Sequence, residues 1–194
     1  MELLMNNKPK IAVFASGNGS NFQAIADAVQ AGKLKADLAL VVTDRPKAFV
    51  VERAKKADIA SFAFVPKEYD SKQSYEEMLK EKLQSLGVEW IVLAGYMRLI
   101  GPVLLEAYEN RIINIHPSVL PAFPGKDAIG QTMASGVETA GVTVHYVDAG
   151  MDTGQIIAQQ SFAINGRDRG TVEQEIHAIE HQLYPATLQR LFNK

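Results

Sequence analysis

Residues 111 to 125 read Arg111-Ile112-Ile113-Asn114-Ile115-His116-Pro117-Ser118-Val119-Leu120-Pro121-Ala122-Phe123-Pro124-Gly125. Ile112, Asn114 and His116 alternate with Ile113 and Ile115, the period of a short strand. Asn114 and His116 then project from one face, with Cα atoms roughly 6–7 Å apart. Pro117 lacks an N–H and stops the strand, and Pro121 and Pro124 stiffen the loop beyond it. A carboxamide and an imidazole side by side at a rigid strand end offer two donors to one point. That suits a carbonyl oxygen that becomes an oxyanion. A bare Asn-x-His pair is more often an incidental polar strand end, so the rest of the chain decides.

Upstream of this segment, short apolar runs alternate with amphipathic stretches. Strands are expected at 11–15, 38–42, 62–65 and 90–94. Helices are expected at about 21–31, from Thr43-Asp44-Arg45-Pro46 to about residue 57, and over 71–86. In the last of these Tyr75, Met78, Leu79 and Leu83 are spaced for one helical face, and Gly87 ends it. This rhythm implies a parallel sheet with helices on both faces and right-handed crossovers. Ligands on such sheets sit beyond the carboxyl ends of the strands. The Asn-x-His strand comes fifth, residues 139–147 and 155–162 read as a strand pair, and 172–192 as a long closing helix. The expected organisation is a tail over 1–9 and one domain over 10–194.

The 194 residues are 47% hydrophobic and 22% charged, an ordinary globular balance with enough chain for a substantial core. A net charge of −2 with scattered Lys and Arg leaves no nucleic-acid footprint and no polybasic membrane patch. The absence of cysteine excludes a disulfide framework, a thiolate metal site and a cysteine nucleophile. The start has no signal-peptide pattern and no apolar run approaches a membrane span, so a cytoplasmic location is expected.

Four further segments carry chemistry. After the first strand, Ser16-Gly17-Asn18-Gly19-Ser20-Asn21 can bring backbone N–H groups and a helix N-terminus to an anion. Ser20 and Asn21 add donors and are candidate helix caps. The loop is neither a Walker motif nor a dinucleotide fingerprint, because no Gly-Lys-Ser/Thr follows and Phe22 stands at the third glycine position. Leu93-Ala-Gly-Tyr-Met-Arg-Leu-Ile100 leaves the fourth strand as an apolar loop. Asp148-Ala-Gly-Met-Asp152-Thr-Gly154 is acidic and glycine-rich but lacks calcium-loop spacing. His177-Ala-Ile-Glu180-His181 fits a zinc-peptidase pattern, yet only thirteen residues follow and none is acidic, so no metal is expected.

Asn114-Ile-His116-Pro-Ser118-x-Leu120-Pro121-x-x-Pro124-Gly125 resembles the signature of the folate-dependent formyltransferases. The resemblance runs from about residue 10 to 192, with the separate motifs in order. It implies the formyltransferase fold: a Rossmann-like, mostly parallel α/β sheet with helices on both faces and an antiparallel portion near the C-terminus. Within the family the match points to the branch whose substrates are 5'-phosphoribosylglycinamide and 10-formyltetrahydrofolate, the latter a cosubstrate, in purine synthesis. It assigns Gly19, Ser20 and Asn21 to the phosphate, and His177 and Glu180 to the nucleotide, Glu180 accepting from the ribose hydroxyls. Met97, Arg98, Leu99 and Ile100, with Lys72, Asn114, Asp148 and Asp152, are assigned to the folate. The N-terminal half would bind the nucleotide and the C-terminal half the folate. It also implies a cis Leu120–Pro121 bond.

Catalysis is thereby placed on Asn114, His116 and Asp152. Asn114 and protonated His116 would donate to the developing oxyanion, and Asp152 would favour the imidazolium by opposite charge. His145 is expected to order the Asp152 loop. Methionyl-tRNA formyltransferase is longer and formyltetrahydrofolate deformylase carries an N-terminal regulatory domain, so both are weaker matches. A non-catalytic phosphate-ligand sensor is the alternative of another class, and the intact Asn114, His116 and Asp152 set opposes it. The sequence leaves the oligomeric state open.

Overall fold

The computed structural model describes residues 8–194, so most of the tail expected over 1–9 lies outside the described residues. Seven strands form one sheet: β1 (Lys10–Phe14), β2 (Asp37–Thr43), β3 (Ser61–Ala63), β4 (Trp90–Leu93), β5 (Ile112–His116), β6 (Thr139–Tyr146) and β7 (Ile156–Ala163). Their spatial order is β3-β2-β1-β4-β5-β6-β7. The first five are parallel; β6 runs antiparallel to β5, and β7 antiparallel to β6. The chain order reverses between β1 and β4, which opens a crevice at their carboxyl ends.

Among the described residues six α-helices cover the sheet: α1 (Ser20–Gln30), α2 (Val50–Lys56), α3 (Lys72–Ser85), α4 (Pro102–Ala107), α5 (Ala128–Ser135) and α6 (Arg169–Phe192). Alternation along each strand divides the core in two. Ile11, Val13, Val92, Ile113 and Val144 pack on one face under α1, α2, α5 and α6. Ala12, Phe14, Ile91, Leu93 and Ile112 pack on the other under α3 and α4. Tyr184 of α6 is fully buried, and its hydroxyl lies 2.7 Å from the Leu93 carbonyl and 3.1 Å from that of Ile113. That hydroxyl fastens α6 across the seam between β4 and β5.

Several boundaries depart from expectation. Thr43-Asp44-Arg45-Pro46 does not open a helix; Thr43 Oγ1 accepts from Arg45 N at 3.2 Å, and α2 starts only at Val50. The first helix takes Gly19 as its cap residue, at φ 78°, with no side-chain cap from Ser20 or Asn21. Helix α6 begins three residues early because Asp168 accepts from Thr171 N at 2.8 Å. Helices α4 and α5 are too short to announce themselves by periodicity. Pro102 in the first turn starts one, and the Asp127 side chain caps the other.

Candidate active site

The register of the sheet builds the site. Phe14 pairs with Leu93, Leu93 with Asn114, and Asn114 with His145. One row therefore crosses the sheet where β1 and β4 end, and Asn114 opens onto the crevice although it lies inside β5. Two residues on, His116 pairs with Thr143. The loop from Asp148 to Gly154 folds back over this row and brings in Asp152, whose φ is 56°. Gly154 permits that close return, since a Cβ there would lie 1.7 Å from the Tyr146 carbonyl oxygen.

Hydrogen bonds fix the two imidazoles. His116 Nε2 lies 2.8 Å from the Phe123 carbonyl, which only accepts, so that nitrogen carries hydrogen. His116 Nδ1 faces Asp152 Oδ2 at 3.4 Å. A neutral ring would turn a lone pair toward the carboxylate, whereas an imidazolium donates on both sides. His145 Nδ1 donates to the Tyr146 carbonyl at 2.8 Å, leaving Nε2 to accept from the Asn114 amide at 3.2 Å. Asp152 Oδ1 faces Asn114 Nδ2 at 3.5 Å and His145 Nε2 at 3.6 Å, while Oδ2 accepts from Gly125 N at 2.8 Å. Burial pushes the Asp152 carboxyl up, but hydrogen bonding from His145 in its protonated form, the Gly125 N–H and the charge of the protonated imidazoles outweigh it, and its pKa ends below the ordinary value.

The expected Asn114, His116 and Asp152 set is thus brought together, with His145 beside both Asn114 and Asp152. Asp148 lies outside it. One of its oxygens accepts from Gly150 N at 3.0 Å and Thr153 Oγ1 at 2.6 Å, which shapes the loop carrying Asp152. The Leu120–Pro121 bond is cis.

A second cluster forms where α1 meets α6. Asn21 Nδ2 donates to Glu180 Oε2 at 3.2 Å, and His177 Nδ1 lies 3.0 Å from the same oxygen. Hydrogen bonding to Glu180 raises the His177 pKa, burial opposes it, and the charges of Glu180 and Glu173 add to the rise. Asn21 Oδ1 is buried without a hydrogen-bond partner among the described residues. Gly19 answers a different demand from the one its motif suggests. A Cβ there would lie 2.6 Å from Val50 Cγ2, so glycine is required by packing against α2 as well as by its positive φ.

The loop after β4 divides its residues. Met97 and Leu99 are 60% and 51% exposed at the crevice, whereas Ile100 is buried in the core. Arg98 turns its guanidinium to Asp44, Nε to Oδ2 at 2.8 Å. Lys72 stands apart from both clusters, with its stem against Gly101 at the start of α4. Residues to which the motifs gave no role also shape the site. Phe123 supplies a carbonyl, Thr143 a buried hydroxyl, and Ser16 and Asp44 a hydrogen-bonded pair at 2.6 Å. Backbone and packing roles of this kind leave no spacing to detect.

Among the described residues no group of three or more His, Cys, Asp or Glu is placed to hold a metal ion, and no helix is long and apolar enough to cross a membrane.

Comparison with known proteins agrees with this geometry. The profile of the formyl transferase family matches residues 9–188. The phosphoribosylglycinamide formyltransferase of Bacillus subtilis is 55% identical over 94% of this chain and 94% of its own. The crystal structure of glycinamide ribonucleotide transformylase 1 from Geobacillus kaustophilus superposes with a TM-score of 0.94 at 55% identity, covering 96% of this chain and 100% of that one. The phosphoribosylglycinamide formyltransferase of Bacillus halodurans gives 0.93 at 52% identity, over 95% and 96% of the two chains. A profile match over residues 9–188 and this degree of identity across nearly the whole chain lead to one conclusion: the chain belongs to the formyl transferase family, among the phosphoribosylglycinamide formyltransferases of purine biosynthesis.

Proposed function

We propose that the crevice beyond β1, β4 and β5 moves the formyl group of 10-formyltetrahydrofolate to the amine of 5'-phosphoribosylglycinamide. The reading rests above all on His116, held at Nε2 by the Phe123 carbonyl while Nδ1 points at Asp152. A ring fixed by the short bond keeps its other N–H for chemistry.

The amine lone pair forms a bond to the formyl carbon, and the carbonyl pair moves onto oxygen. The Asn114 amide and the His116 Nδ1–H stabilise that oxygen. As the tetrahedral adduct collapses, the bond from carbon to the folate nitrogen breaks. His116 supplies a proton to that nitrogen and regains one from the attacking amine, so the proton count closes. A carboxyl whose pKa lies below its ordinary range is a poor terminal base. Asp152 acts instead as the fixed charge that favours the imidazolium.

Asn21, Ser20, Glu180 and His177 form the nucleotide end of the crevice. Met97, Leu99 and the backbone of Arg98 form the folate end, with Ile100 behind them as a support. Lys72 stands at the outer margin of that end and Asp148 shapes its loop. The nucleotide end draws on both halves of the chain, because Glu180 of α6 meets Asn21 of α1.

The test is a formyl-transfer assay with both substrates on the wild type, His116→Ala and Asp152→Asn. Transfer should fall about 10²–10⁴-fold in His116→Ala, the scale of a lost general acid, with both ligands still bound. Asp152→Asn should reduce turnover sharply while both ligands still bind. Near-normal transfer in His116→Ala would overturn the assignment.

A further inference from the structure

Three carboxylates are buried among the described residues: Asp44, Glu76 and Glu180. Glu180 belongs to the nucleotide end. The other two bracket the loop after β4. Glu76 accepts from Gly101 N at 2.6 Å and Leu104 N at 3.4 Å, where the loop enters α4. Asp44, only 5% exposed at the end of β2, holds the loop's beginning.

Asp44 Oδ1 accepts the Ser16 hydroxyl at 2.6 Å, and Oδ2 accepts from Arg98 Nε at 2.8 Å. The Ser16 oxygen accepts in turn from Met97 N at 2.9 Å, and Ser16 N donates to the Gly95 carbonyl at 3.0 Å. One carboxylate therefore ties together the chain segments leaving β1, β2 and β4. Two of these segments are the two halves of the crevice: Ser16 leads into the Gly17–Asn21 loop, and Met97 into the exposed Met97–Leu99 run.

Arg98 is 40% exposed, so its pairing with the buried Asp44 is weak evidence for stability. Its distinctive contribution is directional: bonds at fixed angles set where a loop lies. Here they turn the Arg98 guanidinium away toward Asp44 while Met97 and Leu99 remain exposed at the crevice.

We infer that Asp44 is a positioning residue for cosubstrate binding: through Ser16, Met97 N and Arg98 it holds the folate loop in register with the phosphate loop. The inference rests on the assignment of residues 97–100 to the folate made above. An amide at position 44 can satisfy Ser16 or Arg98 but not both as acceptor, so Asp44→Asn should release one anchor.

The experiment measures steady-state constants for both substrates in Asp44→Asn, Arg98→Gln, the double variant and Leu99→Ala. Asp44→Asn should raise the folate KM about tenfold, with kcat and the nucleotide KM within about twofold of wild type. The double variant should be no worse than the more affected single variant, because both break one contact. Arg98→Lys should recover part of the loss in Arg98→Gln. An unchanged folate KM in Asp44→Asn, beside a raised one in Leu99→Ala, would overturn the role of Asp44. Additive effects of Asp44→Asn and Arg98→Gln, or equal loss on both substrates and kcat, would overturn it as well. If Asp44→Asn does not fold, a normal folate KM in Arg98→Gln overturns it, and a raised one recovered in Arg98→Lys supports it. An unaffected folate KM in Leu99→Ala would instead sink the folate assignment of the loop.

Discussion

His145 turns its Nε2 lone pair to the Asn114 amide at 3.2 Å because its Nδ1 hydrogen is already donated to the Tyr146 carbonyl at 2.8 Å. A backbone carbonyl thus selects the tautomer, and the tautomer selects which way the carboxamide points. His145→Leu fills the space without offering an acceptor. Turnover should fall about 10- to 100-fold, and urea unfolding should report a loss of about 1–3 kcal/mol from the unpaired polar groups. Unchanged kcat would show that the amide is oriented by something else.

Thr143 is a buried hub beneath the proline loop. Its hydroxyl donates to the Ser118 carbonyl at 2.7 Å and accepts from Leu120 N at 3.1 Å and Gln159 Nε2 at 2.8 Å. The loop it anchors carries the Phe123 carbonyl that holds His116. Thr143→Val keeps the shape and strands these partners, so about 1–3 kcal/mol of stability should be lost. Turnover should fall with it, and chemical denaturation alongside the assay separates the two effects.

Gly19→Val is a poor probe of phosphate binding, since the new side chain would meet Val50 first. Ser20→Asp asks the question cleanly. A carboxylate in the first turn of α1 suits the helix dipole by about 0.3–1 kcal/mol, yet it repels a phosphate. The variant should be at least as stable as wild type and bind the nucleotide at least tenfold more weakly by calorimetry. Unaltered nucleotide affinity would move the phosphate elsewhere.

His177 links stability to pH. Its pKa is raised, chiefly by the hydrogen bond to Glu180. The stabilising contribution of that bond is therefore complete below the ordinary imidazole value of about 6.5 and disappears as pH rises through the raised one. The stability difference between wild type and His177→Gln should be largest in mild acid and close above neutrality. In Glu180→Gln the His177 ring should titrate at lower pH by NMR; an unmoved titration would show that the contact is not electrostatic.

The chain's own pattern was enough for the parallel first half of the sheet. Its strands are short apolar runs separated by helices whose buried face recurs every three to four residues, as at Tyr75, Leu79 and Leu83. Such periods report local geometry. The Asn-x-His pair was legible for the same reason, since two residues on one strand share a face whatever surrounds them. Short helices such as α4 hold too few turns to show a period.

What only the tertiary structure decided were relationships across long separations in sequence. The row from Phe14 through Leu93 and Asn114 to His145 depends on strand order and register. The tautomer of His145 depends on the Tyr146 carbonyl, the bracing of the loop after β4 on Asp44, and the demand for glycine at position 19 on Val50. Each of these is a contact between groups whose distance is set by the packing of whole elements. Residue types and spacing along the chain carry the chemistry that is available, and the assembled sheet determines which groups meet.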